Sequence, residues 1–117
     1  MTLALHHVTV DSSDALALAS FWSAALGKPL DEGGDAEFAA IGGGASDGQG
    51  WLFFQVPEGK AAKNRMHVDL KSTDRAADVE RLVDLGATIA HERDQWGTRW
   101  TVLQDPEGNE FCVVQLS

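Results

Sequence analysis

The octet His-Val-Thr-Val-Asp-Ser-Ser-Asp at residues 7–14 returns as His-Val-Asp-Leu-Lys-Ser-Thr-Asp at residues 67–74, a shift of 60 residues in a chain of 117. Each copy leads into an amphipathic stretch that stops at a Leu-Gly pair. The segment 52–56 also aligns with 112–116 at the same shift. Such a repeat predicts two like modules packed about a pseudo-twofold axis, with His7 and His67 converging on one shared cleft.

A second register competes with this one. Residues 51–59, Trp-Leu-Phe-Phe-Gln-Val-Pro-Glu-Gly, also resemble residues 100–108, Trp-Thr-Val-Leu-Gln-Asp-Pro-Glu-Gly, at a shift of 49. The shift of 60 covers three separated segments in matching order, whereas the shift of 49 covers one strand and its turn. We therefore prefer the shift of 60.

Length and composition limit the class of protein. With 117 residues and 44% hydrophobic content, we expect a single domain over 1–117, with modules at about 3–57 and about 64–117, because each module alone would bury too little surface. The one cysteine, Cys112, excludes an internal disulfide, and the first residues lack the features of a leader peptide, so we expect a cytoplasmic protein.

Charge also restricts the partners. Eighteen acidic and nine basic side chains give a formal charge of −9. This charge disfavours nucleic acid and anionic membranes as partners. The acidity has two explanations, solubility alone or attraction of cationic or metal-complexed ligands, and charge does not separate them.

The apolar pattern predicts the order β-α-β-β-β twice, and so an α+β fold. We expect strands near 3–10, 37–41, 51–56, 65–70, 88–92, 99–104 and 110–116. The first helix should bury Leu18, Phe21, Trp22, Ala25 and Leu26, and the second Ala76, Val79, Leu82 and Val83. The glycine-rich run at 42–50 predicts a mobile hairpin loop without the features of a phosphate-binding loop.

Three motifs carry a family resemblance. They are the His-Val strands, the helix end Phe-Trp-Ser-Ala-Ala-Leu-Gly at 21–27, and Asp-Pro-Glu-Gly-Asn-Glu-Phe at 105–111. Together they resemble the vicinal oxygen chelate superfamily, and within it the small glyoxalase-like and bleomycin-resistance-like domains. The resemblance implies two βαβββ modules forming a curved mixed sheet around a cleft. It also implies homodimerisation and a small-molecule ligand, such as an antibiotic-like compound.

The resemblance also bears on metal binding. Metal-using members take ligands from the first and last strands of each module, which here correspond to His7, Leu52, His67 and Cys112. Leu52 cannot ligate, and Cys112 stands where relatives carry Glu, so we expect a binding protein without the usual His/His/Glu site. The alternative is a metal-dependent lyase, isomerase or extradiol-type dioxygenase. In that enzyme His7, His67 and Cys112 would hold zinc more readily than manganese or iron.

Other residues are candidates for chemistry or binding. Asp69 shares a strand face with His67, and Glu110 shares one with Cys112, so His67, Asp69 and Glu110 are candidate acids and bases. The residues that we expect to contact a ligand are His7, Thr9, Leu52, Phe54, Trp96 and Trp100. For Trp96, in an exposed turn, dimer packing is an equal alternative. A third alternative is a structural or regulatory domain whose cleft has lost its function.

Overall fold

The computed structural model describes residues 2–116, which divide between Gly59 and Lys60 into two compact units. No described helix is long and apolar enough to cross a membrane. The elements in chain order are β1 (His7–Ser12), α1 (Ala15–Leu26), β2 (Phe38–Ile41), β3 (Gly50–Gln55), β4 (Asp69–Ser72), α2 (Arg75–Asp84), β5 (Thr88–Gln95), β6 (Thr98–Gln104) and β7 (Glu110–Gln115).

The first unit is a three-stranded sheet in the order β1-β3-β2, with α1 against one face. Asp14 caps α1 by accepting a hydrogen bond from the Ala17 amide at 3.1 Å, and Gly27 ends the helix at φ +66°. Leu18, Phe21 and Trp22 are buried as predicted. The Trp22 ring stacks on Trp51 of β3 with ring centroids 4.7 Å apart, so the apolar stripe of α1 forms the core of this unit.

The second unit is a four-stranded sheet in the order β4-β7-β6-β5, with α2 against β6 and β7. Val79 and Leu82 are buried, but Ala76 and Val83 are exposed, contrary to the prediction. The side of α2 that packs on the sheet includes Arg75, whose guanidinium donates to Thr101 and Glu92. It also includes Asp78, which accepts a hydrogen bond from Ser72. Polar residues that have protein partners can thus lie on the packed side of a helix, although the apolar pattern predicts that they face solvent.

Strand pairing fits the shift of 60 and not the shift of 49. Thr9 lies opposite Leu52 in the parallel β1–β3 pair, and Asp69 lies opposite Cys112 in the parallel β4–β7 pair. Both residues of the second pair follow those of the first by 60. Trp100, by contrast, lies on β6, which pairs antiparallel with β7 and does not touch β4. The alternative register is therefore wrong.

The α+β class and the pair of βαβββ-like modules are confirmed, but the first module lacks one regular strand. Residues 28–37 run beside β2 where β5 runs beside β6 in the second unit. The Asp31 amide donates to Ala40 at 2.9 Å, and the Asp35 amide donates to Phe38 at 2.8 Å. Gly33, at φ +86°, falls inside this segment, a backbone conformation that regular strands do not use. β1 and β4 also begin later than predicted, at residues 7 and 69.

Candidate functional site

The pairing of the second sheet separates its residues into two faces. Thr101, Leu103, Phe111 and Val113 lie towards α2 and are buried. The opposite side, which we call the helix-free face, carries the alternate residues. One row across the strands runs Asp69, Cys112, Val102 and His91, and the next runs Lys71, Val114, Trp100 and Arg93.

His67, Asp69 and Cys112 lie together on the helix-free face. Their nearest nitrogen, oxygen and sulfur atoms all lie within 4.8 Å of one another. His67 Nε2 is 3.4 Å from Asp69 Oδ1, and both side chains are exposed, whereas Cys112 is buried. The parallel register fixes the arrangement, because the Cys112 amide donates to Val68 at 3.0 Å and places Cys112 opposite Asp69. We call these three residues the donor trio.

The Cys112 thiol is held protonated. Burial is the largest cause that raises its pKa from an ordinary value of 9.0 to about 11, and the nearby Asp69 carboxylate contributes as a negative charge and as a hydrogen-bond acceptor. At neutral pH the thiol therefore donates to Asp69 and is a poor nucleophile. A cation that replaced this proton would find one nitrogen, one oxygen and one sulfur donor in reach.

Glu110 is tied to the start of the second unit. Its carboxylate lies 2.9 Å from Lys60 Nζ and accepts a hydrogen bond from the Asn64 amide at 3.3 Å. Burial alone would raise the pKa of Glu110, but the hydrogen bonds from Lys60 and Asn64 bring that pKa below its ordinary value. Glu110 is thus an ionised anchor for residues 60–64, and its role as a catalytic base remains a prediction.

His7 lies in the first unit and has partners of its own. Its Nε2 is 2.7 Å from the carbonyl oxygen of Gly43. With the proton on Nε2 as donor, Nδ1 is left as the ring's acceptor. Gly50, opposite His7, is required here, since a Cβ on it would lie 2.5 Å from the Gly42 oxygen and 3.0 Å from the His7 ring. Asp31 accepts hydrogen bonds from the Gly42 and Gly43 amides at 2.9 and 2.8 Å.

The other predicted ligand contacts of the first unit lie on the face opposite α1. Thr9 and Leu52 face each other across β1 and β3, and Phe54 forms a ring pair with Phe38 at 4.9 Å. By the repeat, His7, Thr9 and Leu52 occupy the positions of the donor trio. Only His7 among them is a His, Cys, Asp or Glu. Within residues 2–116, the donor trio is the one group of three such residues whose ligand atoms all lie within 4.8 Å of one another.

Trp96 and Trp100 lie at the hairpin between β5 and β6. Their rings are stacked, with centroids 6.2 Å apart and planes inclined by 13°. Trp96 is 87% exposed and sits at φ +53°, followed by Gly97 at φ +74°, as in a two-residue type I′ turn. The ligand contact predicted for this pair remains a prediction.

Two features of the helix-free face differ from the sequence prediction. The sequence predicts Asp69 as an acid or base, whereas the structure places it as the third donor beside His67 and Cys112. Arg93 is absent from the predicted contacts, and the structure places it opposite Trp100. A two-residue turn at 96–97 would have paired Arg93 with Trp100, but Trp is rare at the first turn position, where Asn, Asp or Gly is usual.

Comparison with known proteins decides the family. The model of the family described as "Glyoxalase-like domain" matches residues 7–114. The chain belongs to this family. No curated protein sequence matches this glyoxalase-like chain.

Solved structures show the same fold. A glyoxalase/bleomycin resistance protein/dioxygenase family enzyme from Burkholderia phytofirmans PsJN is 18% identical, with a TM-score of 0.78 over 98% of this chain and 100% of that one. The fosfomycin resistance protein FosX from Mesorhizobium loti is 16% identical, with a TM-score of 0.74 over 100% and 95%. A mutant FosX from Listeria monocytogenes, complexed with Mn(II) and dihydroxypropylphosphonic acid, is 15% identical, with a TM-score of 0.77 over 100% and 93%. These likenesses establish the fold.

Proposed function

We propose that this glyoxalase-like protein binds a small organic ligand on the helix-free face of its second unit, around the donor trio. The observation that carries the proposal is the gathering of an imidazole, a carboxylate and a thiol within 4.8 Å on one sheet face. Small-molecule sites combine apolar walls with a few convergent polar groups. Val102, Val114 and Trp100 on the same face supply the apolar part.

The repeat gives this proposal a matched control. Asp69 and Thr9 are equivalent positions, as are His67 and His7, but only the residues of the second unit belong to the trio. A ligand bound at the trio should lose affinity in Asp69→Ala and His67→Gln and keep it in Thr9→Ala and His7→Gln. We expect a loss of about fivefold to tenfold for each trio variant, the usual effect of one hydrogen bond.

The test is an amide NMR titration with small compounds of each charge, among them catechol, benzoate and benzylammonium. Binding at the trio should shift the amide signals of Asp69, Cys112 and Trp100 and leave those of Val79 and Leu82 on α2 unchanged. Saturable shifts confined to α2 or to the first unit would contradict the proposal.

A second candidate function is supported by the donor set itself. Imidazole, thiolate and carboxylate are all zinc ligands, and three protein ligands with one free position describe catalytic zinc sites. Tetrahedral zinc needs ligand atoms about 3.3 to 3.8 Å apart, so the 4.8 Å group would contract by about one ångström through side-chain rotation. The residues therefore fit zinc, with Asp69 as the third ligand instead of His7, which the sequence predicts for this role.

Zinc held in this way would supply Lewis-acid polarisation of an oxygen atom of the organic ligand. Asp69 and His67 would orient that ligand, and Cys112 would give up its thiol proton when the site is loaded. Such a protein would be a metal-dependent enzyme and not a binding protein alone.

Calorimetric titration with zinc distinguishes the two candidates. We expect about one equivalent bound by the wild type and by His7→Gln, and a loss of about 100-fold or more in affinity for Cys112→Ser. Affinity should rise about tenfold per pH unit near neutral pH, because one thiol proton is released. Equal affinity of Cys112→Ser and wild type would rule out this site and leave the metal-free binding protein.

A further inference from the structure

A row of cationic and aromatic side chains crosses the helix-free face beside the donor trio. Lys71, Val114, Trp100 and Arg93 are consecutive across the four strands. Strands lie about 4.8 Å apart, so Arg93 is one strand from Trp100, and Lys71 is about 9.6 Å from Trp100 on the other side. Both cations have long side chains that reach over their neighbours.

Neither cation has a partner in the part of the chain that the structure describes. Within residues 2–116, Lys71 and Arg93 are exposed and take part in none of the ion pairs or side-chain hydrogen bonds. Arg99, on the same hairpin but on the opposite face, pairs with Asp94 at 3.2 Å. Arg75 pairs with Glu92 at 3.1 Å. The two unpaired cations thus share one face of the sheet with Trp100.

Trp96, which stacks on Trp100 of the row, has a costly backbone conformation. Trp96 adopts φ +53°, a region that a bulky side chain rarely occupies, and its ring remains 87% exposed while stacking on Trp100. Asn or Gly would satisfy the turn at lower cost. Strain of this kind is retained where the surroundings or a function require it. Here the result is an extended indole surface next to two cations.

Charge is distributed unevenly along the chain. Residues 60–117 carry eight of the nine lysine and arginine side chains against ten carboxylates, whereas residues 1–59 carry Lys28 against eight carboxylates. On the helix-free face the Asp69 carboxylate lies 3.4 Å from His67 Nε2, while Lys71 and Arg93 have no such partner within residues 2–116, so the net charge of −9 does not describe the row around Trp100. Local unpaired charge decides which ligand is attracted at contact distance.

From this arrangement we infer that the ligand of the helix-free face is a planar aromatic anion, whose ring stacks on Trp96 and Trp100 and whose carboxylate pairs with Arg93 or Lys71. This inference rests on the proposed function, because it names the class of ligand for the same face. Offset stacking on indole favours a flat ring. The planar guanidinium of Arg93 matches a carboxylate in two-point geometry.

The test compares three ligands of one shape and different charge: naphthoate, naphthamide and naphthylmethylammonium. Quenching of tryptophan fluorescence gives the affinity of each at low and high salt. We expect naphthoate to bind at least about fivefold more tightly than naphthamide, with naphthylmethylammonium weakest, and expect this advantage to shrink in high salt. Equal binding of the three, or preference for the cation, would overturn the inference and leave the proposed function standing.

Variants locate the effect. Arg93→Gln should lower naphthoate affinity about fivefold and leave naphthamide affinity unchanged, with Lys71→Gln acting in the same direction, while Arg99→Gln serves as the control on the opposite face. Trp96→Thr should weaken naphthoate and naphthamide alike, because both lose the ring contact. If Arg99→Gln lowered naphthoate affinity as much as Arg93→Gln, the inference would be wrong.

Analytical ultracentrifugation of the wild type and Trp96→Thr tests whether a second copy of the chain covers this surface. We expect the same sedimentation for both proteins. A shift from dimer to monomer in Trp96→Thr would mean that Trp96 packs against a second copy, and the inference would fail.

Discussion

At the scale of single residues, the two halves of the repeat have diverged at the positions that carry chemistry. His7, Thr9 and Leu52 in the first unit correspond to His67, Asp69 and Cys112 in the second. Where the first unit has Thr9 and Leu52, the second has a carboxylate and a thiol. Three donors therefore lie together in the second unit, whereas the equivalent positions of the first unit offer the His7 imidazole alone. The sequence alone predicted the positions of these residues, because alternation and the shift of 60 determine them. It did not predict that the donors would converge within one unit.

The buried thiol of Cys112 makes a prediction about stability at alkaline pH. Its pKa is raised from 9.0 to about 11, so the folded protein holds the thiol proton more tightly than the unfolded chain. The resulting stability is complete below about pH 9 and is lost as the pH rises through about 11. Two pKa units correspond to about 2 to 3 kcal/mol in the free energy of unfolding.

Urea unfolding at several alkaline pH values checks this prediction. The chain contains no tyrosine, so lysine side chains are the main other groups that titrate in this range. Cys112→Ala should lose less stability than the wild type between about pH 9 and about pH 11. Identical pH dependence in the two proteins would show that the thiol is not held in its protonated form by folding.

At the scale of elements, the sequence predicted best where burial is apolar. The stripe of α1 was predicted correctly for Leu18, Phe21 and Trp22 because these side chains pack on an apolar sheet. The buried side of α2 was predicted less well, because Arg75 and Asp78 are satisfied by partners on the sheet and on β4. Thr101 is distant from Arg75 in sequence, and Ser72 lies on the strand before α2, so the apolar periodicity of the helix reveals neither partner.

The glycine-rich loop between β2 and β3 offers a test at the same scale. Asp31 accepts hydrogen bonds from the Gly42 and Gly43 amides, and this contact ties the loop to residues 28–37. Asp31→Ala should therefore speed the hydrogen exchange of these two amides about tenfold, the effect of one charged hydrogen bond.

Asp47→Ala is the matched control for the loop, since Asp47 accepts a hydrogen bond from the Gln49 amide at 2.9 Å within the same segment. It should speed the exchange of Gln49 and leave Gly42 and Gly43 unchanged. Unaltered exchange of Gly42 and Gly43 in Asp31→Ala would mean that the loop is held by other contacts, such as that of His7 with Gly43.

At the scale of the whole molecule, the family and the fold class followed from the repeat and from the motif at 105–111. The single domain over 1–117 remains a prediction. A unit of about 60 residues buries only about 60% of its unfolded surface and is marginal alone. We therefore expect one cooperative unfolding transition for the full chain.

Tryptophan variants test this cooperativity. Fluorescence reports on Trp22 and Trp51 of the first unit in a Trp96→Phe, Trp100→Phe protein, and on Trp96 and Trp100 of the second unit in a Trp22→Phe, Trp51→Phe protein. In each variant, the urea transition followed by fluorescence should coincide with the transition followed by circular dichroism, which reports the loss of secondary structure. Separate midpoints within either protein would mean that the units unfold independently.

The central claim is that the helix-free face of the second unit is the binding surface. Val113 and Val114 are adjacent in sequence but point to opposite faces of β7, with Val113 towards α2 and Val114 in the row with Trp100. Intermolecular nuclear Overhauser effects between bound naphthoate and the methyl groups of these two valines therefore test the claim directly. We predict effects to Val114 and none to Val113; effects to Val113, or to methyl groups of α2 alone, would contradict it.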